Sequence, residues 1–179
     1  MKVIRYLVGV LFSLIILLVL VGLILPSTIR LERTTVIDAP LDTVFDYVND
    51  LRKNELWSSW KKRDPSSEWT YTQNTVGVGA SYHWKGKKSG EGSLTIIEST
   101  PGRLVRTALD FGQMGKAFAG HRFESVSEGI KVTQFFEQGV GMNLPGRYFG
   151  LFAEGMIGKD FDKSLGNLKD LAEGGKNGK

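Results

Sequence analysis

Pro145 to Leu168 reads PGRYFGLFAEGMIGKDFDKSLGNL. Tyr148, Phe152, Ile157, Phe161, Leu165 and Leu168 recur mostly at the spacing of one helix face. Pro145 suits a first helical turn, where a missing N–H costs nothing. The pattern predicts one long helix from Pro145 to about Ala172. Yet the stretch carries Gly150, Gly155, Gly158 and Gly166, and a glycine inside a helix costs about 1 kcal/mol relative to alanine. Missing side chains at Gly150, Gly155 and Gly158 leave room, either for a sheet to approach closely or for a small molecule.

Upstream, the pattern is one of short strands between turn signals. RTTVID, Arg33 to Asp38, is rich in β-branched residues and predicts a strand, which Asp38-Ala39-Pro40 ends. Leu41, Val44, Phe45 and Val48 then recur at helical spacing, and Leu51 to Trp60 forms a second short helical piece. Further strands are expected at Glu68–Asn74, Ala80–Lys85, Gly92–Glu98, Arg103–Phe111, Lys116–Ser125 and Ile130–Gln138. Turns such as Gly77-Val78-Gly79, Thr100-Pro101-Gly102 and Glu128-Gly129 separate them. Connections this short make hairpins, and hairpins make an antiparallel sheet. Such a sheet hides its apolar face when it curls and the long helix lies in the hollow. The predicted class is α+β, a curved seven-stranded antiparallel sheet around a long carboxy-terminal helix.

The front of the chain is different. Tyr6 to Leu25 is a run without charge, and about 20 residues at 1.5 Å each span the hydrocarbon core of a bilayer. A cleaved signal would carry an apolar region of about 7–15 residues and small residues at its cut site, whereas Leu23-Ile24-Leu25-Pro26 offers none. Residues 1–29 are therefore expected to be a transmembrane anchor with its link, 30–172 the folded domain, and 173–179 a disordered tail. Lys2 and Arg5 precede the span, and Arg30 and Arg33 follow it. The positive-inside rule leans towards a domain on the extracytoplasmic side of a bacterial inner membrane.

Of 23 basic residues, Lys2 and Arg5 belong to the anchor, which leaves 21 against 19 acidic in the domain. That near-balance lacks the basic stripe of a nucleic-acid binder. The clusters Lys61-Lys62-Arg63 and Lys85, Lys87, Lys88 read as solvated loops, with contact to anionic lipid headgroups as the sharper alternative. With no cysteine in the chain, thiolate metal sites and disulfides are excluded.

Val36 to Trp60, VIDAPLDTVFDYVNDLRKNELWSSW, resembles the opening of the SRPBCC superfamily, the START-related, polyketide-cyclase-like group. Val36-Ile37-Asp38-Ala39-Pro40, Val44-Phe45, Asp50 and Trp57 stand where that pattern wants them. GVGASYHWKG and GRYFGLFAEGMIGKDFDKSL look like the membrane-anchored bacterial branch of the group. The resemblance covers nearly all of residues 31–172 and implies the helix-grip fold, with a cavity between helix and sheet. It does not fix chemistry, since one fold hosts many functions.

Strand alternation gives the expected lining. Tyr82 and Trp84 share a face, as do Leu94 with Ile96, and Val105 with Thr107 and Leu109. On the last two strands His121 and Phe123, and Gln134 and Phe136, point the same way. Phe152, Ile157 and Phe161 complete the set from the helix. A mostly apolar lining with a few polar atoms is the usual constitution of a small-molecule site.

The catalytic motifs are sparse. There is no His-x-x-x-His or Glu-x-x-His metal spacing and no Gly-x-Ser-x-Gly. No metal or cofactor is implied. His121 is the one candidate general base. The expected function is a membrane-tethered module binding a hydrophobic or amphipathic small molecule, lipid-like or aromatic. The alternatives are a cyclase- or hydrolase-type enzyme using His121, and a protein-interaction domain with a filled core.

Overall fold

The computed structural model describes residues 2–174. Helix α1 (Lys2–Ile24) comes first, then β1 (Thr28–Ile37), α2 (Leu41–Asn49), and the short helices α3 (Asn54–Trp57) and α4 (Ser59–Arg63). Six strands follow: β2 (Glu68–Tyr71), β3 (Ser81–Gly86), β4 (Gly90–Thr100), β5 (Leu104–Asp110), β6 (Lys116–Val126) and β7 (Gly129–Gly139). Helix α5 (Leu144–Ala172) closes the domain. The seven strands form one antiparallel sheet in the order β1-β7-β6-β5-β4-β3-β2. Every neighbour but one is a hairpin partner; β1 returns from the front of the chain to lie beside β7.

Alternation decides the faces. Ile29, Leu31 and Ile37 of β1 are buried while Arg30, Glu32 and Thr34 are exposed. On β7, Ile130, Val132, Gln134 and Phe136 point inward against α5 and the short helices. The strand begins at Thr28 rather than Arg33, so the expected link from the membrane is already sheet two residues before the expected domain boundary. At the other end Glu173, expected to belong to a disordered tail, is buried and its carboxylate accepts from the Asp38 N–H at 2.9 Å. Residues 175–179 lie outside the described residues.

The interior holds two apolar clusters. The larger gathers Ile37, Val44, Val48, Leu51, Trp57, Ile96, Val105, Phe123, Val132, Leu165 and Leu168. The smaller holds Ile29, Leu31, Ala117, Phe136, Ala153 and Phe161, towards the end of the domain nearest α1. Asn143 caps α5, its side-chain oxygen accepting from the Gly146 N–H at 3.1 Å, as a helix N-terminus requires.

The helix glycines separate into two kinds. A Cβ on Gly158 would fall 2.5 Å from the Arg33 guanidinium, and one on Gly150 would fall 3.2 Å from Ile29. Those two positions let β1 approach closely. Gly155 and Gly166 face open space. None of the four opens a chamber over the sheet.

Among the described residues α1 is the one helix long and apolar enough to cross a membrane, features a signal sequence shares. It does not stand free. The Arg147 guanidinium donates to the carbonyls of Gly22 (3.2 Å) and Leu23 (2.8 Å), in the last turn of α1, and of Leu25 (3.1 Å) just past it. The cation also complements the negative end of the helix dipole. Tyr148 donates its hydroxyl to the Leu18 carbonyl. Gly22, the buried residue of α1, lies against Tyr148 and Leu144.

Candidate functional site

One rung of the sheet crosses the interior as Arg33, Gln134, His121 and Val105, on β1, β7, β6 and β5. It runs between the two apolar clusters. Along β6 the inward residues pass from Ala117 in the smaller cluster, through His121, to Phe123 in the larger; along β7 they pass from Phe136 through Gln134 to Val132. The next rung adds Thr107, whose hydroxyl donates to the Ala119 carbonyl at 3.1 Å. A polar seam of Thr107, His121 and Gln134, all buried, thus lies between the two apolar clusters.

Two atoms of this seam are unsatisfied. His121 Nε2 and Gln134 Oε1 are buried with no hydrogen-bond partner among the described residues. Leaving such a group unpaired costs about 1–3 kcal/mol. The two residues are directly opposite each other on adjacent strands. Burial pushes the His121 pKa down to about 3, which keeps the imidazole neutral. Trp57 meets it in a T-shaped contact, with ring centroids 5.4 Å apart and planes at 87°.

Trp57 is fixed from both sides. Its indole donates to the Tyr47 carbonyl at 2.9 Å, and Asn167 of α5 donates to its own carbonyl at 2.8 Å. Next to it the Ser59 N–H donates to Ser164 Oγ, Ser164 Oγ to Ser59 Oγ, and Ser59 Oγ to the Asp160 carbonyl. The segment carrying α3 and α4 is therefore clasped to the middle of α5 by these polar contacts as well as by Trp57, which is buried in the larger apolar cluster with Leu165 and Leu168. Trp60, by contrast, is half exposed beside Arg63.

At the rim, Arg33 pairs with Glu154 and, at 3.2 Å, with Asp162, straddling Gly158. The Glu154 hydrogen bond is the main reason its pKa lies above the ordinary arginine value. Nothing in the apolar stripe of α5 signalled this charged residue on the inner face of β1. The signal was the alternation Ile29, Leu31, Arg33, Thr35, Ile37, legible once the strand is started at Thr28.

Of the residues expected to line a site, Ile96, Val105, Thr107, His121, Phe123, Gln134, Phe136 and Phe161 are buried on the inner side. Leu94, Leu109 and Ile157 are half-buried beside them. Tyr82 and Trp84 are buried too, in an aromatic row further along the sheet: Trp69 stacks on Tyr82 at 4.5 Å, and Trp84 meets Phe111 at 5.7 Å. Phe152 is a correction. It is 65% exposed, because it lies nine residues before Phe161, about two and a half turns, and so on the opposite face. Ala153 takes the inward position there.

Two of the open depressions on the described surface lie away from the space between sheet and α5. One is on the outer face, bordered by Glu32, Arg122, Glu124 and Lys131; the other lies beside α2, bordered by Asp42, Asp46 and Lys53. Arg106 and Glu137, each next to an inward residue of its strand, are also on the outer face: Arg106 sits over Phe118, and Glu137 accepts from Arg30 at 3.0 Å. None of the ion pairs among the described residues includes His121.

A protein-family model described as polyketide cyclase / dehydrase and lipid transport matches residues 28–173. Solved structures share the fold at low identity. A protein from Chromobacterium violaceum is 21% identical with a TM-score of 0.55, over 83% of this chain and 99% of that one. The Aha1 dimer from Colwellia psychrerythraea is 14% identical with a TM-score of 0.56, over 82% and 98%. The di-domain ARO/CYC StfQ from the steffimycin biosynthetic pathway is 11% identical with a TM-score of 0.59, over 82% of this chain and 52% of that one. Among curated proteins none matches.

Proposed function

This chain belongs to the polyketide cyclase / dehydrase and lipid transport family, and from that premise we propose that it is a membrane-tethered binding module for an amphipathic small molecule. The observation that carries the reading is the polar seam: two unpartnered buried atoms, on His121 and Gln134, set between two apolar clusters. A ligand with one polar group and an apolar body meets both needs. Its polar group hydrogen-bonds to Nε2 and Oε1, and its body takes up contacts among the clusters, each buried methylene contributing about 0.8 kcal/mol. Helix α1 holds the domain at the membrane, on the extracytoplasmic side.

Binding rather than proton transfer fits this histidine. A general base works best with a pKa near the operating pH, whereas burial holds His121 near 3. A neutral imidazole beside an amide orients a ligand. Entry requires the segment with α3 and α4 to part from α5, and the serine clasp of Ser59 and Ser164 is the contact that yields.

Native mass spectrometry of the full-length, detergent-extracted protein tests this. The expected result is a compound of defined mass, apolar over most of its length, that is lost from His121→Leu while the melting temperature holds or rises. Equal recovery from His121→Leu removes the seam from the reading. Repeated recovery of no specific compound, after exposure to cognate membranes, removes the reading itself.

A further inference from the structure

The first four turns of α5 carry large apolar side chains on the outside: Phe149 is 44% exposed, Phe152 65% and Met156 48%, with Met142 just before the helix at 71%. Packing within the domain does not account for that exposure, whereas position does. Tyr148, on the same face as Phe152, donates to the carbonyl of Leu18. Leu18 precedes the end of α1 by six residues, about 9 Å along the helix. Where α1 crosses a bilayer, the first turn of α5 must therefore lie at the level of the acyl chains and not above the headgroups.

The junction is rigid enough to hold it there. Arg147, only 8% exposed, spends its guanidinium on the Gly22, Leu23, Leu25 and Gly141 carbonyls. That shields a charge which would otherwise be costly at membrane depth. The N–H groups of Val140 and Gly141 donate to the Ser27 carbonyl at 2.9 and 3.2 Å, fastening the link between α1 and β1. Further along, the same face turns basic at Lys159 and Lys163, both exposed, as a helix leaving the interface towards anionic headgroups would.

We propose that Leu144–Met156 is a second membrane-embedded element, lying in the acyl-headgroup boundary of the leaflet that α1 leaves, with Phe149, Phe152 and Met156 facing lipid. The proposal rests on α1 being an uncleaved anchor, as in the function proposed above. It places the smaller apolar cluster, directly under this part of α5, next to the bilayer.

The chain has no cysteine, so single labels are clean. The full-length protein carrying a fluorophore at Leu11→Cys, Phe152→Cys or Val78→Cys is reconstituted into phosphatidylethanolamine–phosphatidylglycerol vesicles with brominated acyl chains. Val78 is an exposed apolar control in the turn before β3, at the opposite end of the strands from the α1 junction. The expected result is loss of fluorescence at Leu11 and Phe152 and none at Val78. Quenching at Leu11 with Phe152 no different from Val78 overturns the proposal and leaves the anchor standing. Absence of quenching at Leu11 overturns both. Shielding of Phe152 from lipid bromine and from aqueous iodide alike means a second copy of the chain covers the face, and also overturns it.

Discussion

Leu144–Ile157 and Gly158–Ala172 are two halves of one unbroken helix, yet their apolar side chains point in opposite directions. In the first half Phe149, Leu151, Phe152 and Met156 are exposed, and the inward places are taken by Gly150, Ala153 and Ile157. In the second half Phe161, Leu165 and Leu168 are buried and the outward places are polar. The first half meets β1 through small residues and α1 through Arg147 and Tyr148; the second half supplies the large cluster with its bulk. A helix that only needed to cover a sheet would keep one apolar stripe throughout. The change of face matches two different surroundings along one rod, protein for the second half and, in the reading proposed above, lipid for the first.

The largest effect separates the halves directly. Leu168→Ala, at a position with no exposed surface, is expected to cost about 2–5 kcal/mol, the range for emptying a packed leucine site. Phe152→Ala removes a larger side chain and is expected to change stability by less than about 0.5 kcal/mol in detergent. Thermal unfolding of both variants checks the contrast; equal losses would mean that the exposed face is packed in the folded protein after all.

The next effect comes from where the halves meet. The rung that ends at Arg33 beside Gly158 continues inward to Gln134 and His121. His121 is held near 3 by burial against an ordinary value of 6.5. Its folded pKa is depressed, so the unfolded chain takes up the proton first. The associated stability is fully present above about pH 6.5 and drains away as pH falls towards 3, at up to about 1.4 kcal/mol per pH unit. Urea unfolding between pH 7 and pH 4 should show this slope in the parent and a flatter one in His121→Leu. A slope unchanged by the substitution would assign the acid sensitivity to carboxylates such as Asp64, which accepts from Ser66, Lys88 and Ser89 and whose pKa is thereby lowered.

The sheet was legible because its signals are local. Period-two alternation and glycine turns mark β3 to β7 within a residue or two of their ends, and the resemblance carried by Val36–Trp60 gave the arrangement of helix and sheet. His121 opposite Gln134 was legible too, since hairpin register pairs them once β6 and β7 are placed. What stayed hidden depends on contacts far apart in sequence. Phe152 reads as a stripe member because its gaps to neighbours are nearly helical, and only the phase set by Phe161 and Leu165 puts it outside. Arg33 reads as the start of a strand beside a membrane link; its inward direction follows from Ile29 and Leu31, which lie ahead of the strand expected from Arg33 to Asp38. The clasp of Ser59, Ser164 and Asp160 joins residues about a hundred positions apart, with no pattern of their own.

The smallest effect answers the question that the glycines raise, by splitting them. Gly155 and Gly166 cost helix stability and have no neighbour within 4 Å of a built Cβ. Gly155→Ala should therefore stabilise the detergent-solubilised protein by up to about 1 kcal/mol, the helix-propensity gain alone. Gly158→Ala brings the same propensity gain, but its methyl group would sit 2.5 Å from the Arg33 guanidinium. That group is the far end of a flexible side chain, yet Glu154 and Asp162 hold it from both sides, so it has to leave one carboxylate to make room. Gly158→Ala should then be no more stable than the parent, and the double variant Arg33→Ala/Gly158→Ala should recover the gain relative to Arg33→Ala. Melting temperatures of these variants decide it. If Gly158→Ala stabilises on its own as much as Gly155→Ala, Arg33 is not fixed over the helix, and the two halves of α5 meet at a joint looser than the one described.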